Sequence, residues 1–239
     1  MARPLTYMIC TVQRSGSLLL CETLTDTEVC GSPPGRHFLL GVDEDSSPEH
    51  FRDQLTSSRN QITSPNGIAG FRMFWNGLPG FVSRVREAYD TEAPNDHEVL
   101  QSVFNEIGYL WLRRNNKVRQ AVSFWRATTG REQFRYPKDS EIPVNTPAFD
   151  FDRVDFFVRL VTQQEEDWRR WFSANNVVPF EVSYELLAAN RHGTLESVLD
   201  FLGVESRPRC PLPEPRVIQQ ADEHTERYVQ MYEAHPSAR

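Results

Sequence analysis

The sequence is poor in residues that staple or anchor a chain. Its four cysteines, Cys10, Cys21, Cys30 and Cys210, form no C-x-x-C pair, and its six histidines show no partner spacing. No metal site is therefore expected. So few thiols point to a reducing, cytoplasmic setting rather than a disulfide framework. A long apolar run is also missing. The opening MARPLTYMIC carries one Arg and gives way at once to Gln13-Arg14, too short for a signal peptide or a transmembrane helix. Positive charge is not in excess: 26 Lys and Arg stand against 33 Asp and Glu, a net charge of -7. That balance disfavours a general nucleic-acid or anionic-membrane binder, though it leaves room for a local basic pocket. The chain has no internal repeat, no low-complexity tract and no G-x-x-x-x-G-K-[ST] loop.

What is present is an ordinary globular composition, 39% hydrophobic and 25% charged over 239 residues. That length fits a single domain, residues 1–239, and buries roughly 70% or more of the unfolded surface without staples. Four short apolar runs read as strands: Tyr7–Val12, Gly67–Trp75, Tyr109–Leu112 and Val177–Val182. Helices are expected over Leu18–Leu24, Pro48–Asn60, Leu78–Tyr89, Asp96–Ile107, Lys117–Thr128, Asp150–Ala174, Gly193–Leu202 and Gln219–Glu233. The clearest is Asp150–Ala174, where Val154, Phe157, Val158, Val161, Trp168, Trp171 and Phe172 keep close to a 3.6-residue period. Trp168, Trp171 and Phe172 are accordingly core or a dimer face. Thr129–Pro147 reads as a loop and Arg207–Pro215 as a proline-rich crossing. Strands alternating with helices imply an α/β fold, a parallel sheet flanked by helices on both faces.

Ligands of such sheets bind at the carboxyl ends of the strands. The first strand ends at Gln13-Arg14-Ser15-Gly16-Ser17 and runs into a helix. Unpaired N–H groups and the helix dipole favour an anion there. Gly16 permits close backbone approach, Ser15 and Ser17 add hydroxyls, and Arg14 adds a forked cation suited to phosphate or sulfate oxygens. A helix cap after a strand fits these five residues equally well. A second basic turn, Arg113-Arg114-Asn115-Asn116-Lys117, follows the third strand and again leads into a helix, with Ser123 two turns in. Arg114 and Ser123 converge on one phosphate if that helix packs beside a nucleotide; a solvated basic helix start is the alternative. Two such turns in one sheet suit a ligand with two separated anionic groups. An ATP phosphotransferase is disfavoured, because the loop lacks the Lys and the Ser/Thr placement that hold β- and γ-phosphates and magnesium.

The stretches QRSGSLLL, RRNNKVRQAVSFWRA, QEEDWRRWFSANNVVPFEVSYELL and VIQQADEHTERYV resemble those of the bacterial trehalose 2-sulfotransferase family, between residue 7 and about residue 232. The resemblance implies a P-loop nucleotide-kinase-like sulfotransferase fold, a homodimer, and transfer of a sulfuryl group from 3′-phosphoadenosine 5′-phosphosulfate (PAPS) to a hydroxyl, with no metal. Carried over, Arg14, Ser15, Gly16 and Ser17 hold the 5′-phosphosulfate, with Leu18 where the family usually has Thr. Arg114 and Ser123 hold the 3′-phosphate. Arg14 and the helix N-terminus stabilise charge on the leaving phosphate, and a base takes the acceptor's proton.

The pattern departs from the family in the segment Gly31-Ser32-Pro33-Pro34-Gly35-Arg36-His37-Phe38. The family's Glu, its proposed base, falls here on Gly35 or Arg36, and neither can serve. His37 is adjacent, and the unperturbed pKa of a histidine suits the job. Glu22, Asp43 and Glu44 are weaker candidates. Gln219 stands where the resemblance implies Arg, and the stretch between Phe38 and Gly67 is shorter, so the acceptor is left open among small molecules, glycans and natural products. Arg72 lies where the family often has Lys near the active site, with an edge-strand charge as the alternative. Trp125 and Arg126 either line the acceptor site or, for Trp125, belong to the core. A degenerate relative that binds the nucleotide without turnover is the remaining alternative.

Overall fold

The computed structural model describes residues 6–35, 46–129, 147–204, 212–217 and 222–238. Four strands, β1 (Thr6–Thr11), β2 (Ala69–Phe74), β3 (Ile107–Arg113) and β4 (Phe180–Ser183), form one parallel sheet in the order β2-β1-β3-β4. Nine helices accompany them among the described residues: α1 (Ser17–Thr25), α2 (Pro48–Ile62), α3 (Leu78–Ala88), α4 (Asp96–Phe104), α5 (Lys117–Thr129), α6 (Phe151–Ala174), α7 (Tyr184–Ala189), α8 (Arg191–Phe201) and α9 (Glu223–Glu233). A short 3-10 turn, Trp75–Gly77, joins β2 to α3. The expected α/β fold, with its parallel sheet flanked by helices, is what forms.

The three longer strands are buried on both faces because most of their residues are apolar. Side chains alternate across a strand. Met8, Cys10 and Val12 of the first strand and its exit join Tyr109 and Trp111 of β3 in one core, packed with Phe51, Phe81, Phe104, Trp168, Trp171 and Phe172. Tyr7, Ile9, Leu110 and Leu112 point the other way, against Leu20 and Leu24 of α1 and Val198 of α8. A third cluster, with Val122, Trp125, Val154, Tyr228 and Tyr232, joins α5, α6 and α9. Trp168, Trp171 and Phe172 are thus core.

Two boundaries and one added helix depart from the sequence reading for local reasons. The fourth strand begins at Phe180, three residues later than expected. Pro179 has no N–H to give a ladder, and Val178 is 90% exposed while Val177 N–H closes the end of α6 on Phe172 O at 2.9 Å. The fourth helix stops at Phe104 because Asn105 turns to φ 55, which frees Ile107 to start β3. Helix α7 was unexpected; Ser183 caps it by accepting from Leu186 N–H.

Thr11 lies level with Phe74 on one side and Leu112 on the other. From β1 the chain runs to β2 on one side, and from β3 to β4 on the other. The crevice where connections diverge therefore lies between the carboxyl ends of β1 and β3. Both basic turns open there.

Candidate active site

The loop after β1 is held open by backbone geometry. Arg14 has φ 63 and Gly16 φ 87. A left-handed conformation costs a residue with a side chain roughly 1–2 kcal/mol, so Arg14 must be held by its surroundings. Gly16 is required twice: a Cβ there would also lie 2.2 Å from Tyr184 Cδ2. As the N-cap of α1 it brings no side chain to the orphan N–H groups of the first turn, and among the described residues no side-chain cap is present there. Those donors stay available to an anion.

The side chains around the loop converge on it. Arg14 Nε donates to Ser123 Oγ at 3.0 Å, and Arg114 Nη1 donates to Arg14 O at 3.2 Å. Gln120 Nε2 donates to Gln13 O at 2.8 Å, and Gln13 Nε2 to Asn76 Oδ1 at 3.0 Å. Ser15 Oγ points inward and shares a hydrogen with Thr11 Oγ1 at 2.5 Å, so Ser15 offers the loop its backbone rather than its hydroxyl. Thr11 Oγ1 also donates to Leu112 O at 2.9 Å, tying β1 to β3. Leu18 is buried and lies where a Cβ on Gly35 would meet it at 2.6 Å.

The turn after β3 differs. Its N–H groups are already occupied: Asn115 N–H donates to both carboxylate oxygens of Glu185, at 2.9 and 3.1 Å, and Asn116 N–H to one of them at 3.2 Å. Arg119 N–H donates to Asn116 Oδ1 at 2.8 Å. What this turn presents to the crevice is the side chain of Arg114, with Ser123 from the next turns of α5. The guanidinium carbon of Arg114 lies 4.7 Å from the Tyr184 ring centroid.

Several partly or fully buried cations here are matched. Arg113 pairs with Glu165 and Glu181, Lys117 with Glu165, and Arg126 with Asp222 through two hydrogen bonds of 2.6 and 2.9 Å. For Arg113, burial works against the charge, but the bonds to Glu165 and Glu181 outweigh it and raise its pKa. Arg72 and Arg114 form no ion pair among the described residues, although they are only 6% and 8% exposed. Burial lowers the pKa of each. Arg72 Nη1 donates to Ser17 Oγ at 3.1 Å and Nη2 to Gly35 O at 2.6 Å, and its guanidinium lies over the Phe74 ring. Arg72 stands on an edge strand, yet its charge is turned into the protein at the start of α1. A buried charge that forms no ion pair is costly, and two such guanidinium groups beside the start of α1 suit an anion.

The structure thus gathers Arg14, Ser15, Gly16, Ser17, Leu18, Arg114 and Ser123 at one crevice. His37, Arg36, Asp43, Glu44, Gln219 and Cys210 lie outside the described residues. Glu22 Oε2 accepts the N–H groups of Arg216 and Val217, both at 3.1 Å, and so fastens a distant segment to α1. Trp125 is core, and Arg126 is bound to Asp222 and Thr225 between α5 and α9. Tyr184, Gln120 and Glu185 were missed. Gln120 lay in an expected helix and Tyr184 and Glu185 in no expected element, and nothing local marked their partners, which lie from 70 to 168 residues away for Asn115, Gln13 and Gly16. Among the described residues no helix is long and apolar enough to cross a membrane, and no group of three or more His, Cys, Asp or Glu could hold a metal.

Comparison with known proteins completes this picture. The family model described as Stf0 sulphotransferase matches residues 6–235. The chain is 29% identical to trehalose 2-sulfotransferase of Mycolicibacterium smegmatis, over 96% of this chain and 94% of that one. It is 27% identical to trehalose 2-sulfotransferase of Mycobacterium tuberculosis, over 93% of each. Among solved structures, the sulfotransferase domain of the Synechococcus PCC 7002 olefin synthase superposes with a TM-score of 0.47 at 17% identity, covering 98% of this chain and 89% of that one.

Proposed function

Because the chain belongs to the Stf0 sulphotransferase family, we propose that it transfers a sulfuryl group from PAPS to a hydroxyl of a small-molecule, glycan or natural-product acceptor. One observation carries this reading. Two buried guanidinium groups that form no ion pair among the described residues, Arg72 and Arg114, reach the loop at the start of α1 from the strands on either side of β1. That arrangement fits a ligand with anionic groups at two places. In this assignment Arg14, the N–H groups at Gly16 and Ser17, and Arg72 hold the phosphosulfate end, while Arg114 and Ser123 hold the 3′-phosphate.

The donor supplies an activated sulfur–oxygen bond. The chain's part is to place the acceptor oxygen in line with that bond and to stabilise the charge left on the departing phosphate. Fixed N–H groups and guanidinium groups do this without reorganising, which is where most of the rate gain of such sites arises. The acceptor's proton needs a base. Gly35 has no side chain, and Glu22 is committed to Arg216 and Val217. We assign the base to His37.

A second reading, a relative that binds the nucleotide but does not turn over, is favoured by Gly35 or Arg36 standing where the family's Glu belongs. Labelled sulfuryl transfer from PAPS to a panel of sugars and other alcohols, with calorimetry of adenosine 3′,5′-bisphosphate and ATP, separates the readings. The proposal expects tight bisphosphate binding, weak ATP binding, and turnover lost in His37→Ala. Bisphosphate binding with no turnover on any acceptor selects the second reading, and preferential ATP binding overturns both.

A further inference from the structure

We propose that Gln120 is a positioning residue that sets the main-chain geometry of Arg14; the inference rests on the assignment of Arg14 to the phosphosulfate end of the donor. Arg14 sits in the left-handed region at φ 63, where a residue with a side chain does not stay unaided. The carbonyls on either side of it are both held. Gln13 O accepts Gln120 Nε2 at 2.8 Å, and Arg14 O accepts Arg114 Nη1 at 3.2 Å. Each carbonyl fixes a planar peptide unit, so the two bonds together set φ and ψ at Arg14.

Gln120 is 1% exposed and lies three residues before Ser123 on the same face of α5. Ser123 Oγ takes Arg14 Nε at 3.0 Å. One turn of α5 therefore grips both the backbone and the side chain of the loop's arginine. On the far side, Gln13 Nε2 reaches Asn76 Oδ1 at 3.0 Å, so a chain of three amides crosses from the end of β2 to α5 through the loop. The residue type suits the task. A Glu could not donate and would repel an anion, and a Lys or Arg would compete with Arg14 for it. Glutamine donates without charge.

The test is a double-mutant cycle of Gln120→Met and Arg14→Gly, with urea midpoints as one readout and kinetics as the other. Methionine keeps the volume and removes the donor; glycine accepts positive φ freely. Gln120→Met is expected to lower kcat about tenfold to a hundredfold, with bisphosphate Kd within about threefold of wild type. Its urea-midpoint shift should fall to about half or less in the Arg14→Gly background, because the strain it restrains is gone. Equal shifts in both backgrounds, an unchanged kcat, or a Kd that rises in step with the loss of kcat would each overturn the proposal. If the wild-type protein neither binds the bisphosphate nor transfers sulfuryl, the functional reading falls by itself, and the urea cycle still decides whether Gln120 restrains Arg14.

Discussion

The turns after β1 and β3 share one plan in sequence: an apolar strand, an arginine, small polar residues, then a helix. They lie side by side at the carboxyl ends of neighbouring strands. In space they diverge. The first turn contains two left-handed residues, Arg14 and Gly16, and the start of α1 has no side-chain cap among the described residues. The second has its N–H groups filled by Glu185, and its first helical turn is closed by Asn116. The first can receive an anion through its backbone. The second can do so only through the side chains of Arg114 and Ser123. One sequence pattern thus yields an open receptor and a filled one, and the residue that decides the matter lies 70 positions downstream.

The largest effect expected from this difference is at Arg14. If the first turn faces the bond that breaks, Arg14→Ala should lower kcat by about 10²–10³-fold, the usual cost of losing one preorganised donor at a developing charge. Arg114→Ala should act on affinity instead, weakening adenosine 3′,5′-bisphosphate by about 10–100-fold, as for a buried charged hydrogen-bond partner. Steady-state kinetics and calorimetry on both variants check the split. Equal kinetic signatures would dissolve the distinction between the turns.

Gly16→Ala sharpens the comparison next. The added methyl meets the Tyr184 ring at 2.2 Å in a backbone conformation that alanine disfavours. A loss of more than about 1 kcal/mol in stability follows, together with weakened bisphosphate binding, because Tyr184 also lies against Arg114. No such loss is expected from replacing Asn115 in the second turn by Ala, where φ is not in the left-handed region and the main chain is what Glu185 holds. Urea denaturation of the two variants side by side measures this.

How much of this was legible in the sequence depends on the range of the forces involved. Strands β1 to β3 and the long helix α6 announced themselves through apolar runs and a 3.6-residue period, because burial acts on each residue's own side chain. The two basic turns were visible for the same local reason. Arg72 was visible either as a match to the family's active-site Lys or as a charge on an edge strand; that it turns inward to Ser17 and Gly35 depends on three segments meeting. Tyr184 and Glu185 sit in a helix whose apolar pattern is too short to read, and their work is done on Gly16, Arg114 and Asn115, far off in sequence.

The smallest expected effect bears on the filled turn and can be read by pH. Burial pushes the Glu185 carboxyl up, but the N–H groups of Asn115 and Asn116 and the Ser183 hydroxyl outweigh it and hold its pKa below the ordinary value. A carboxyl whose folded pKa is depressed adds stability that is full above its unfolded value of about 4.3 and is lost as pH falls through the folded one. Glu185→Gln keeps the shape and removes the charge. It should cost about 1 kcal/mol at neutral pH, the usual worth of a helix-end cap, and the gap to wild type should close as pH drops below the ordinary carboxylate range. Bisphosphate affinity should change little or rise slightly, since a negative charge near Arg114 is removed. A gap that persists unchanged in acid would mean that Glu185 does not hold the turn through its charge.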